Sequence, residues 1–412
     1  MSPDDFTTGS VPEKSRVFGV NILLAWTGFI LVVASMSFGG GLAGEMRFGS
    51  LVQAILWGNA FLAVCGFVSG YVGSWSGLSF GSLAARVFTK NSWRLAILYI
   101  PLSLIGWYAI ESSIFGNFVA NTFGLGDLVR RLIMAAAAIF FSVSAYFGVR
   151  FIGRISYILI PTVVAVSLFA LSNVHTSSTL LFGFGPQIIN SYDGAAIVMS
   201  TWIFSVLLVV PDLTRFIRSP LIAGVAGALG VFLGNTAALG IGAFAAAYTR
   251  QSDPSLILVG LGFTPLALIL TFASVWSTND NNMYSSSLSV ARAFSLPRRG
   301  VVLALALLGA VIAMFNPATI PIMFGFLAFM GASAPPLGGI VIGGYIFSHG
   351  SDVVENGLVA PWAAWLLASA ITFQLHGVII IPGGLLLGMF FWQIFNRLEK
   401  LFMARRRVAS AL

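Results

Sequence analysis

Twelve long apolar runs, separated by short polar connections, take up most of this 412-residue chain and dictate its solvent. They cover residues 18–37, 50–73, 96–118, 129–147, 155–171, 194–210, 221–247, 264–291, 301–315, 320–347, 358–373 and 377–395. Runs of this length suit α-helices crossing a bilayer, which takes about 20 apolar residues per span. A membrane β-barrel would instead show short segments of alternating polarity. Charge agrees: 8% of the residues are charged, against roughly 25% in a soluble domain. So few charges cannot cover a soluble surface, and disorder needs high charge with low hydrophobicity. The sequence therefore predicts an all-α integral membrane protein with twelve transmembrane helices.

The formal net charge of +8 invites a nucleic-acid reading, but the placement of the basic residues argues for topology. With the N-terminus cytoplasmic and the spans alternating, 17 of the 21 Lys and Arg fall inside. Lys14, Arg16, Lys90, Arg154, Arg218 and Arg299 are among them, and only Arg47, Arg130, Arg131 and Arg250 fall outside. The expectation is a multi-pass protein of the cell (inner) membrane, with both termini cytoplasmic, a lipid bilayer as its surroundings and no nucleic-acid partner. The first ten residues include Asp4 and Asp5 and lack the apolar stretch of a cleavable signal peptide, so the first run is expected to anchor the chain. Cys65 stands alone, which leaves no disulfide framework.

Three runs carry interruptions. Phe38-Gly39-Gly40-Gly41 closes the first, where backbone is expected to unwind. Trp276-Ser277-Thr278-Asn279-Asp280-Asn281-Asn282 places mostly polar residues, beside a potentially opened backbone, inside the eighth. Ala334-Pro335-Pro336-Leu337-Gly338-Gly339 predicts a break in the tenth. Broken helices at membrane depth are tolerated where they line a protein-walled cavity, and paired breaks in the two halves of a transporter point to a central site.

Two acidic residues fall deep inside runs. A carboxylate at the position of Glu111 costs at least ~2.5 kcal/mol on insertion scales and normally faces the protein interior. Ser103, Trp107 and Glu111 recur every four residues and so share one helix face, an aromatic surface with hydrogen-bonding groups a turn to either side. A structural carboxyl paired to a neighbouring helix is the alternative. Asp280 sits in the densest polar cluster of any run, where carbonyl and hydroxyl oxygens suit a hard monovalent cation. Interhelical hydrogen bonding alone would also use such residues. Trp202 and Ser205 in the sixth run are further candidates. His175, His349 and His376 are too scattered for a metal site, and no Walker motif or nucleophile elbow appears, so no enzyme and no cofactor are expected.

The motif Trp276-Ser277-Thr278-Asn279-Asp280-Asn281 closely resembles the Trp-Thr-Thr-Asn-Asp-Asn signature of cytosine permeases, within the nucleobase:cation symporter family. Ala34-Ser35-Met36, Gly106-Trp107-Tyr108, Pro211-Asp212-Leu213-Thr214-Arg215-Phe216 and Pro335-Pro336-Leu337-Gly338-Gly339 are similar to family stretches in the same order. The resemblance implies the leucine-transporter fold of two inverted five-helix repeats plus two peripheral helices. Its divisions here would be an N-terminal tail (1–17), repeats over 18–172 and 193–348, peripheral helices over 358–396 and a basic tail (397–412).

The resemblance also implies a planar heterocycle held between Trp107 and an aromatic of the sixth run, with Trp202 the candidate and Ile203 the position aligned by spacing to Asp212. Ser103, Glu111, Ser205, Asn279 and Asp280 complete the expected substrate set. A sodium site is implied at backbone carbonyls around Gly28 and Val32, the Ser274 carbonyl and the hydroxyls of Ser277 and Thr278. Cytosine permeases tend to have Gln where this chain has Leu104, and hydantoin carriers have Gln where it has Glu111. A carboxylate accepts N–H bonds from an amino-bearing edge, so cytosine or a related aminopyrimidine or purine is expected over uracil. The predicted function is sodium-coupled import by alternating access. The alternatives are proton-coupled transport of hydroxymethylpyrimidine, allantoin or hydantoin, or a non-transporting binding protein or channel.

Overall fold

The computed structural model describes Phe6 and residues 9–88, 93–173, 184–249, 253–348 and 359–409. Asp4, Asp5, Lys90, His175, Arg250, His349 and Leu358, which entered the sequence reading, lie outside the described residues.

Each apolar run is helical over most of its described length. The first divides into α1 (Val20–Ile30) and α2 (Val33–Glu45), bent by 51°. Then follow α3 (Phe48–Ser76), the short α4 (Phe80–Val87) in the connection, and α5 (Trp93–Phe123). The fourth run forms α6 (Asp127–Phe141) and α7 (Val143–Phe147), and the fifth α8 (Val149–Ser172). The sixth divides at Val209 into α9 (Ser191–Leu208) and α10 (Val210–Thr214). Next come α11 (Pro220–Thr249), a short α12 (Pro254–Gly260), α13 (Thr264–Phe294) and α14 (Arg298–Met314). The tenth run holds α15 (Ile320–Gly338) and α16 (Gly344–Phe347); α17 (Ala360–Thr372) and α18 (Ile380–Ala409) close the chain.

Among the described residues, eight helices or helix pairs are individually long and apolar enough to cross a bilayer. The bent pair α1–α2 adds another. α13 has 31 residues, enough for a span by length. Its polar motif lowers its hydropathy, and α14 returns from it at 120°. Large apolar side chains on the outer faces, such as Trp57, Leu128 and Ile158, are about 70% exposed in the isolated chain and suit lipid contact. This is a multi-pass membrane protein.

The interruptions differ from those expected in three places. Phe38–Gly41 lies within α2, and the break is instead at Leu31–Val32. There the Val32 N–H turns back to the Ile30 carbonyl at 2.9 Å, closing a three-residue turn. The polar motif does not open α13, which stays helical from end to end because its side chains find partners on the surrounding helices. Pro335 and Pro336 do not break the tenth span. A π-helix over Gly339–Gly343 follows them, and the helix continues.

Packing sorts the helices around the site. α3 packs along α11 and α9, and α1 along α11. Opposite them α13 packs on α5 and α8, and α14 on α6. Close approach of α3 and α11 depends on glycine: a Cβ on Gly66 would stand 2.6 Å from the Gly227 carbonyl oxygen, and one on Gly227 would stand 2.3 Å from that of Gly66.

Candidate functional site

The break in the first span has a direct chemical consequence. In an unbroken helix the Gly28 and Phe29 carbonyls would accept the N–H groups of Val32 and Val33. Val32 donates to Ile30 instead, and Val33 donates to Ser274 Oγ at 2.8 Å. The two freed carbonyls face α13. Ser277 Oγ lies 3.0 Å from the Gly28 oxygen, and Thr278 Oγ1 lies 3.1 Å from that of Phe29. Both hydroxyls also reach the Ser274 carbonyl, at 2.9 and 3.3 Å. Five neutral oxygens thus converge from two helices, the donor set that suits a hard monovalent cation. Gly28, Ser274, Ser277 and Thr278 meet here, and Phe29 joins them. The Val32 carbonyl starts α2 by accepting from Met36 N, at 3.1 Å.

Beside these oxygens lies a narrow slot. Phe29, Phe38, Trp107 and Trp202 supply aromatic walls; Ser35, Glu111, Thr201, Ser205, Thr278 and Asn282 supply polar groups; and Val32, Ala34 and Met330 complete the lining. The Trp107 indole donates to Met330 Sδ and that of Trp202 to Ser35 Oγ, each at 3.1 Å. Trp202 stands edge-on to Phe29, ring centres 5.1 Å apart. Glu111 is 2% exposed, and its Oε2 has no protein partner.

Of the expected substrate residues, Trp107, Glu111, Trp202 and Ser205 come together in the slot. Ser103, Ile203, Asn279 and Asp280 are fully buried outside its lining. Asn279 fastens α13 to α5, its Nδ2 donating to the Tyr108 carbonyl at 3.3 Å and to Ser112 Oγ at 3.1 Å. Asp280 lies a turn beyond Trp276, whose indole bonds Ser144 of α7, and its Oδ1 accepts from Asn281 at 2.8 Å. The residues that sequence reasoning missed include Phe29, Ser35, Phe38, Thr201 and Asn282. Asn282 had a signal: it follows Thr278 by four and so shares its face.

A larger vestibule adjoins the slot, sharing Ala34 and Phe38 with it. It reaches Glu45 at the end of α2 and Asp253 before α12. Burial pushes the Asp253 carboxyl up to about 6. The opposite face is closed. Val17 pairs with Ile217 in a bridge, Arg16 donates to the Ser74 carbonyl at 2.7 Å, and buried Arg215 donates to the Phe6 carbonyl at 3.0 Å. Asp212 Oδ1 accepts the N–H of Phe80 at 2.8 Å, tying α10 to α4.

No protein-family model matches the chain. Cytosine permease of Escherichia coli K12 is 27% identical over 355 residues, covering 85% of this chain and 83% of that protein. This chain is a relative of cytosine permease. A structure of Mhp1, a nucleobase-cation-symport-1 family transporter, in a closed conformation with bromovinylhydantoin bound, superposes with a TM-score of 0.82. That match is 16% identical and covers 97% of this chain and 96% of that one. A Na⁺-coupled sialic acid symporter in an outward-open state matches at a TM-score of 0.64, 13% identical over 93% of this chain and 90% of that one. The resemblance to the nucleobase:cation symporter family therefore holds in sequence and in fold, and the architecture is that of the leucine transporter.

Proposed function

We propose that this chain is a transporter, a secondary active symporter that imports a planar nucleobase-like heterocycle, cytosine or a related aminopyrimidine or purine, together with sodium. The observation that carries this reading is shared residues: Phe29 and Thr278 line the slot and also belong to the oxygen cluster between α1 and α13. A cation drawn into the cluster orders the wall on which the solute rests. The solute stacks against Trp107 and gives N–H bonds to Glu111, whose unpartnered oxygen supports an amino-bearing edge over one presenting only carbonyls. The names of the relatives, a cytosine permease and a nucleobase-cation symporter, support the same solute class.

Alternating access follows if the cation binds one conformation better than the other. The vestibule is the entry side and the face sealed by Arg16 and Arg215 the exit side, with the termini cytoplasmic as the basic residues require. A bundle drawn from both repeats (18–172 and 193–348), to which each contributes an interrupted span, α1–α2 and α9–α10, rocks against the remaining scaffold. Proton coupling is the second reading, favoured by one observation: Glu111 is an ionisable group inside the slot itself. Uptake of radiolabelled cytosine into proteoliposomes tests both. Saturable uptake that collapses when external sodium is replaced by choline is the expected result. Uptake driven by a pH gradient and indifferent to sodium would establish the second reading, and no uptake of any aminopyrimidine or purine would overturn both.

A further inference from the structure

A separate groove lies on the outer face of the molecule, away from the slot. Its walls come from α5, α15 and α17, and it opens sideways between Leu102, 67% exposed, and Leu366, 64% exposed. Side-chain size makes its depth: Ser369 and Ala370 stand on α17 between the bulkier Leu366 and Phe373, and all four line it. The hydroxyls of Tyr99 on α5 and Ser333 on α15 satisfy each other at 2.6 Å. The Trp365 indole donates to the Ser333 carbonyl at 2.9 Å. What is left for a guest, inside the spans, is mainly apolar and aromatic surface.

One end of this groove is cationic. Arg94, Leu98 and Leu102 recur every four residues on α5, so Arg94 continues the face on which the two leucines line the groove. Arg94 is exposed and stands over the Trp93 ring at 5.8 Å, and Arg292 stands over the same ring at 5.2 Å. Arg292 Cδ lies 3.7 Å from where a Cβ on Gly81 of α4 would stand. Since α4 is tied to Asp212, this end belongs to the closed face of the molecule. A second copy of the chain, related by an axis normal to the bilayer, would bring its own arginines to the same end, and like charge would meet like charge. An anionic phospholipid brings the opposite charge there and a flexible chain for the groove.

We propose that this groove binds an anionic phospholipid from the leaflet on the closed face, with one acyl chain between α5 and α17 and the phosphate at Arg94. The chain then packs on Phe329 and Ser333 of α15. Those residues flank Met330, the acceptor of the Trp107 indole in the slot.

Native mass spectrometry of the full-length protein tests this, with phosphatidylglycerol and phosphatidylcholine of matched chains offered in equal amounts. Wild type should retain phosphatidylglycerol over phosphatidylcholine by about fivefold, the factor that one arginine near a charged surface supplies. Arg94→Gln should lose most of that preference. Ser369→Phe, which fills the groove and leaves Arg94 in place, should lose a bound lipid. Ala370→Leu, on the exposed rim, carries the same expectation if the phenylalanine variant does not fold. Glycerol 3-phosphate, a phosphate without chains, should not displace the lipid. No preference in wild type, displacement by glycerol 3-phosphate, or full lipid retention in the filled groove overturns the proposal. A preference that survives Arg94→Gln overturns it too, and its loss in Arg397→Gln or Lys400→Gln would assign the lipid to the end of α18 instead.

Discussion

Thr278 Oγ1 lies 3.1 Å from the Phe29 carbonyl oxygen, and both residues also line the aromatic slot. One hydroxyl thus belongs to a cluster of cation-type oxygens and to a solute-type cavity. Nothing separates the two sites except the side chains that make them.

Thr278→Ala tests that contact. It removes one oxygen of five and a buried hydrogen bond worth about 1 kcal/mol. The expected outcome is a modest fall in melting temperature without sodium. The larger effect should be loss of most of the sodium-induced rise, since stabilisation follows the affinity of the bound ligand. Thermal unfolding with sodium and with choline checks it. An undiminished sodium-induced rise would remove the hydroxyl from the cation site.

Trp107→Ala should weaken heterocycle binding by the loss of one stacking face, worth roughly 1–3 kcal/mol per base in nucleic-acid-binding proteins, or about 5- to 150-fold. Trp107→Phe should recover part of it. Isothermal titration with cytosine measures both, and equal affinity in all three proteins would exclude stacking.

Gly66→Leu should separate α3 from α11, because the first added carbon already meets the Gly227 carbonyl at 2.6 Å. Overpacking of this kind typically costs about 1–3 kcal/mol. Thermal unfolding and gel filtration should report a less stable, less homogeneous protein, with Gly66→Ala intermediate.

The closed face should loosen when Arg16→Ala removes the bond to the Ser74 carbonyl. Ser285 is buried beside Asp212 of that face. A Ser285→Cys probe, in a chain whose single natural Cys65 is replaced, should then react faster with maleimide. Labelling no faster than in the parent would mean that Arg16 does not hold this face shut.

Asp253 predicts a pH dependence in the vestibule. Burial raises its carboxyl from an ordinary 3.8 to about 6, so the folded chain holds the proton more tightly than the unfolded one. Its contribution to stability is therefore present below pH ~4 and is lost as the pH rises through about 6. Asp253→Asn, which keeps a cap for the Ser255 N–H, should flatten the stability profile between those values in a chemical-denaturation series. An unchanged slope would assign the dependence elsewhere.

How much of this was legible beforehand varies with the kind of residue. The twelve runs were readable because hydrocarbon excludes unpaired backbone, so a span facing lipid must satisfy its own backbone as an apolar helix. Trp107 and Glu111 were readable from their four-residue spacing, and the polar motif of the eighth span from its contrast with its surroundings. The break at Leu31–Val32 was not readable, since those residues are ordinary apolar ones; the glycines at 39–41 drew attention and proved helical. The motif likewise did not disclose which of its members faces which helix. Thr278 and Asn282 turn to the slot, Asn279 to α5, and Trp276 to α7.

Sequence alone determined the solvent, the helices and the short roster of polar residues from which any site must be drawn, because each follows from local composition and the energetics of burial. The tertiary structure decided which carbonyls are freed, which indoles are already engaged and which polar side chains face the slot. Those choices depend on hydrogen-bond partners up to 249 positions away in the chain, as in Thr278 and Phe29. No local pattern encodes a partner that only folding brings within reach.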